Sequence, residues 1–181
     1  MTTLAERLFV PPGKTLRLAD RDPRGTPGFD GDKEAGKARQ STRIARVHDL
    51  CTETTWRRRY EHIAAFERML VDEGTTIRKF FLHISKDEQQ KRLQERIDDP
   101  KKRWKWSSRD LDERARWDDY QQAYEDALAA TSTHDAPWYV VPADRNWYRD
   151  LAVSEVIVDT LAAMDLKLPA GEPGIEGLQV T

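Results

Sequence analysis

Thr76-Ile-Arg-Lys-Phe-Phe-Leu-His-Ile-Ser-Lys-Asp-Glu88 decides the fold class. Residues Thr76 to Ile84 are rich in β-branched and aromatic side chains, the composition of a buried strand. Ser85 to Glu88 follows at once with the spacing of a capping box, in which the serine oxygen accepts from the backbone N–H three residues on. A strand therefore runs directly into a helix.

Upstream, Trp56, Tyr60, Ile63, Phe66 and Leu70 recur at intervals of three and four, which predicts a helix from about Thr54 to Asp72 with Gly74 as its stop. Downstream, the helix opened by Ser85 is expected to turn Leu93 and Ile97 inward and to end at Asp99-Pro100. A second capping-box spacing, Ser107-Ser-Arg-Asp110, opens a longer helix carrying Leu111, Ala115, Tyr120, Tyr124, Ala127 and Leu128. Trp138-Tyr-Val-Val141 reads as a second buried strand closed by Pro142, and a last helix from about Trp147 to Met164 carries Leu151, Val156, Ile157 and Leu161. Strand, two helices, strand, helix is the pattern of an α/β unit with a short parallel strand pair.

With 181 residues the chain is long enough for one domain with a real core. Its 34% charged content and mean hydropathy of -0.80 exclude a membrane-spanning or low-complexity class. No apolar run reaches the roughly 18 residues of a spanning helix, so a cytoplasmic protein is expected. The net charge of -2 gives no global reason to bind nucleic acid or an acidic membrane. Residues 1–43, rich in Pro, Gly and charge, read as an extended N-terminal arm, residues 44–168 as the folded part, and residues 169–181 as a flexible tail.

The residues that could carry chemistry are few. Cys51 is the single cysteine, which leaves no intramolecular disulfide, and a catalytic thiol would need a base such as His48 beside it. His48-Asp49 and Asp118-Asp119 lack metal-ligand spacing and read as surface or ion-pair groups. Gly31-Asp-Lys-Glu-Ala-Gly-Lys37 fits the start of a phosphate-loop pattern. However, Ala38 offers no hydroxyl for magnesium, Asp32 and Glu34 place carboxylates where phosphates should lie, and no buried strand leads into the turn. It reads as an ordinary loop.

The most pointed feature is Lys91 to Arg109. It holds Lys91, Arg92, Arg96, Lys101, Lys102, Arg103, Lys105 and Arg109 against Glu95, Asp98 and Asp99. Clustered cations repel one another, and phosphate anions neutralise them well; a plain solvated face is the alternative. Trp104 and Trp106 interleave with these cations, which also admits base stacking, although tryptophan more often anchors a core or an interface.

Trp56-Arg-Arg-Arg-Tyr-Glu61, Asp72-Glu-Gly-Thr75, Lys79-Phe-Phe-Leu-His-Ile-Ser85, Asp98-Asp-Pro100, Trp104-Lys105, Trp117-Asp-Asp-Tyr120, Tyr124-Glu-Asp126 and Ala136-Pro-Trp-Tyr-Val-Val-Pro-Ala-Asp144 together resemble the second polyphosphate kinase family. The likeness runs from about Val47 to Leu168, and the stretch from Leu4 to Lys37 is similar to the family's lead-in. The resemblance implies a helix-rich part of a P-loop kinase fold related to thymidylate kinases. It also implies polyphosphate and nucleotide as partners, Mg2+ as cofactor, and a helical lid over about 85–110. On the family pattern Arg96, Lys102 and Lys105 fall on lid positions that bind phosphate.

The family pattern also places a glycine-rich phosphate loop, further strands and a magnesium-holding aspartate segment between the lead-in and the Val47 region. Here Gly36-Lys-Ala-Arg-Gln-Ser-Thr-Arg43 passes straight to Ile44-Ala-Arg-Val-His-Asp-Leu50. About three strand-helix units at about 30 residues each are expected to be missing. No catalytic residue and no metal ligand is therefore assigned, and the chain alone is expected to be inactive, since phosphoryl transfer rests on positioning and electrostatics. Three rival readings stand beside this one: an anion-binding module without turnover, a non-functional internal deletion, and a subunit that self-associates through an open sheet edge.

Overall fold

A computed structural model describes residues 4–23, 46–171, 177 and 179 of the protein. Among them the chain forms α1 (Leu4–Leu8), β1 (Phe9–Val10), α2 (Glu53–Asp72), β2 (Lys79–His83), α3 (Lys86–Asp98), α4 (Arg109–Ala115), α5 (Trp117–Thr131), β3 (Trp138–Pro142) and α6 (Asn146–Ala163). Short 3-10 turns lie at Leu18–Asp20 and Arg103–Lys105.

The sheet has the order β1-β3-β2. β2 runs parallel to β3 with Phe80 opposite Tyr139 and Leu82 opposite Val141, the arrangement expected when helices form the crossover between two strands. β3 is central, and all five of its residues are buried, as a strand covered on both faces requires. Side-chain alternation then divides the core. Trp138 and Val140 pack with Val10, Leu18 and Leu128 on one face. On the other, Val141 meets Tyr148, Ala152 and Val153 of α6, and Tyr139 meets Leu8 and Val156.

Several expectations are corrected here. The lead-in is not extended throughout: residues 4–10 form α1 and β1, β1 adds an antiparallel edge to β3, and Leu8, Val10 and Leu18 are buried at 0–1% exposure. α3 buries no residue, and Ile97 is 39% exposed, so the inward face expected for Leu93 and Ile97 does not form. The helix opened near Ser107 breaks at Arg116 (φ -93°, ψ 25°) into α4 and α5. α6 turns Tyr148, Ala152, Val153 and Val156 to the core and leaves Leu151, Ile157 and Leu161 at 40–48% exposure. On α2, Phe66 is exposed and Glu67 is buried in its place. Gly31 to Lys37 lies outside the described residues.

The boundaries expected at Gly74 and Ser85 are present in atomic detail, whereas α4 follows Ser108 with no side-chain cap, so the full box expected at Ser107 does not form. Gly74, at φ +88°, donates to the Val71 carbonyl while Thr75 N–H reaches back to Leu70, which closes the end of α2 in a Schellman motif. Ser85 Oγ accepts from Glu88 N–H at 3.1 Å and caps α3.

Candidate functional site

β2 and β3 end side by side, and the cationic segment departs from their carboxyl ends, the place where open α/β sheets take ligands. Its first root is fixed by Asp144, just beyond β3, whose carboxylate accepts from Ser85 N–H and from Ser85 Oγ, both at 2.8 Å. Arg92, two helical turns past the cap, bonds Glu88 (2.8 Å) and the Ala143 carbonyl (2.8 Å), which ties α3 to the same strand end.

Beyond these roots α3, the 3-10 turn and α4 bury nothing. Polar contacts hold the two arms together instead. Arg114 of α4 donates to the Lys86 carbonyl (2.6 Å), to Gln89 Oε1 (3.0 Å) and to Gln90 Oε1 (3.1 Å), and Arg96 faces Asp110 across the gap at 3.8 Å. The tip is shaped by backbone bonds from Lys102 to Asp99 and from Lys105 to Lys102, and by Arg103 Nε on the Ile97 carbonyl.

Arg96 thus sits in the last turn of α3, while Lys102 starts and Lys105 ends the 3-10 turn. All three lie on one solvent-facing hairpin of helices. Lys102 is paired with Asp99 at 3.7 Å, and Lys105 Nζ stands 5.1 Å from the ring centre of Trp104, which is 79% exposed. Part of the cation cluster is therefore neutralised within the segment, by Glu88, Asp99 and Asp110. No ion pair of Lys105 occurs among the described residues, in contrast to Arg96 and Lys102.

The second root was not legible as a unit. α4 meets α5 at Arg116, which donates to the Val47 carbonyl at 2.7 Å. Next to it His48 Nε2 lies 3.1 Å from both carboxylate oxygens of Glu113, and Tyr120 Oη donates to Glu113 Oε2. The Tyr120 bond holds the Glu113 carboxyl below the usual carboxylate range, and burial, with the Glu113 bond second, pushes the Tyr120 phenol above its ordinary range. His48 thus bonds Glu113, a pair that is ionic when the imidazole is protonated, and Cys51, three residues on, packs against Trp56, Tyr60 and Ala127 as a structural residue.

Among the described residues no three His, Cys, Asp or Glu side chains gather, so these residues do not fit a divalent cation. No helix of the described residues is long and apolar enough to cross a membrane.

The family model described as Polyphosphate kinase 2 matches residues 39–169. The chain belongs to the polyphosphate kinase 2 family. It is 54% identical over 137 residues to the AMP/ADP-polyphosphate phosphotransferase of Meiothermus ruber, an overlap of 76% of this chain and 51% of that protein. An uncharacterized protein from the chlN 3' region of Leptolyngbya boryana is 47% identical over 114 residues, covering 63% of this chain and 84% of that protein. The crystal structure of polyphosphate kinase 2 from Arthrobacter aurescens superposes with a TM-score of 0.71 at 48% identity, over 74% of this chain and 47% of that one. This polyphosphate kinase 2 relative spans about half the length, or less, of the named phosphotransferases it matches. The mixed sheet and its helices are accordingly those of part of such a structure.

Proposed function

We propose that the chain is the lid-bearing part of a polyphosphate:nucleotide phosphotransferase of the P-loop kinase lineage, and that alone it binds polyphosphate without turning it over. The observation that carries this reading is the solvent-facing segment 85–110, built at the carboxyl ends of the parallel strands and stocked with cations. Arg96, Lys102 and Lys105 act as its phosphate-binding groups. Guanidinium and ammonium donors at exposed positions can exchange weak internal partners for the stronger charge-assisted bonds of phosphate oxygens.

Absence of turnover follows from what the sequence lacks. The segment Gly36 to Val47 leaves no room for the phosphate loop and magnesium ligands of the family pattern. Residues 44–168 would then be the retained core, with polyphosphate and a nucleotide as the partners of the intact relatives and Mg2+ as their cofactor.

Titration of the purified chain with inorganic polyphosphate at two salt concentrations tests the binding half. Saturable binding that weakens with salt, and about tenfold for each lysine removed in Lys102→Ala and Lys105→Ala, is expected. A flat titration would leave the internal pairs Arg96–Asp110 and Lys102–Asp99 as the sole reason for the charge cluster.

A further inference from the structure

We propose that His48, Glu113 and Tyr120 form a latch that holds the return arm of the cationic segment to the core, so that residues 46–50 set the position of Arg96, Lys102 and Lys105. This rests on reading 85–110 as the lid. The three side chains come from three separate stretches: His48 from the turn before α2, Glu113 from α4, and Tyr120 from the first turns of α5. None of them has a role in the chemistry proposed above.

The arrangement suits a latch for mechanical reasons. Segment 86–115 buries no apolar side chain, so its orientation depends on its two roots. Arg114 and the Arg96–Asp110 pair join α3 to α4, which makes the two arms move as one body. The first root is strapped to β3 by Ser85, Arg92 and Asp144. At the second, the helix breaks at Arg116, and a break between two helices is a natural pivot.

Around this pivot the preceding turn is cross-linked by His48 on Glu113 and Tyr120 and by Arg116 on the Val47 carbonyl, while Arg46 fixes the same turn to α5 through the Gln122 carbonyl and Asp126. Glu113 shares its carboxylate between an imidazole and a phenol, so losing either partner removes one of the two bonds on which the hold of α4 depends. Losing Glu113 releases both. These groups are positioning residues, since none reaches the cationic tip.

Hydrogen exchange on the full chain, followed by mass spectrometry, tests the latch. Tyr120→Phe, which removes only the hydroxyl, and His48→Ala are expected to raise exchange in 86–115 about tenfold or more while leaving 138–142 unchanged. His48→Gln, which can return a nitrogen donor near the same place, is expected to restore slow exchange. Glu113→Gln should also lower the pH at which the Tyr120 phenol ionises, read from its ultraviolet absorbance. Unchanged exchange in 86–115 with both Tyr120→Phe and His48→Ala, or an equal rise in 138–142, would overturn the latch. The lid reading fails separately: faster exchange in 86–115 with unaltered polyphosphate affinity keeps the latch and removes the lid.

Discussion

Glu67 of α2 and Lys79 at the start of β2 form an ion pair at 2.6 Å, with only 4% and 2% of their side chains exposed. Lys79 Nζ also donates to the Thr131 carbonyl and lies 5.4 Å from the Trp138 ring centre, so one ammonium joins α2, α5 and β3. A buried charge keeps its place only while its partner remains. Glu67→Ala or Lys79→Ala should each cost about 3–5 kcal/mol of unfolding free energy in urea titrations, whereas Glu67→Leu combined with Lys79→Met should recover most of the loss. A double variant as unstable as either single one would show that the pair itself stabilises the fold.

His83 ends β2 at 6% exposure, stacked on Phe81 at 5.9 Å. Burial is the main influence on its imidazole and lowers its pKa below the ordinary histidine value. The unfolded chain therefore takes up a proton first as pH falls. Stability should be level above the ordinary histidine pKa and should drop as pH falls from there toward the lowered folded value. Thermal unfolding of wild type and His83→Phe between pH 7.5 and 5 checks this, and the variant should lose the part of the drop due to His83.

Gly74 holds φ +88° with open space where a Cβ would stand. Gly74→Ala therefore meets no clash, and its cost is conformational, about 1 kcal/mol. Asp144→Ala removes two hydrogen bonds from Ser85 and should cost about 2 kcal/mol, more than Ser85→Ala, which spares the backbone N–H bond donor but loses the cap. Equal melting temperatures for the Asp144 and Ser85 variants would count against the strand-end strap.

How much of this could be read in advance depends on the range of the interaction. Local signals were legible: Ser85 caps α3, Gly74 closes α2, and the all-apolar Trp138–Val141 is the covered central strand. β1 was not, because two residues before a proline pair carry no periodicity, and only the partner strand gives them meaning. The spacing rule misjudged Leu93, Ile97, Phe66 and Leu151 because it identifies an apolar stripe but not whether another element covers it. At the candidate site the cations of segment 85–110 were visible as composition. The latch was not, since His48 lies 65 residues from Glu113 and no local pattern joins them.

On the proposed function, this chain binds polyphosphate and does not turn it over. Purified protein supplied with polyphosphate, ADP or GDP, and Mg2+ measures this directly, through nucleoside triphosphate formed over time. No triphosphate above the protein-free control is expected under conditions in which polyphosphate binds. Triphosphate that forms with Mg2+ and disappears in the Lys102→Ala, Lys105→Ala double variant would contradict it.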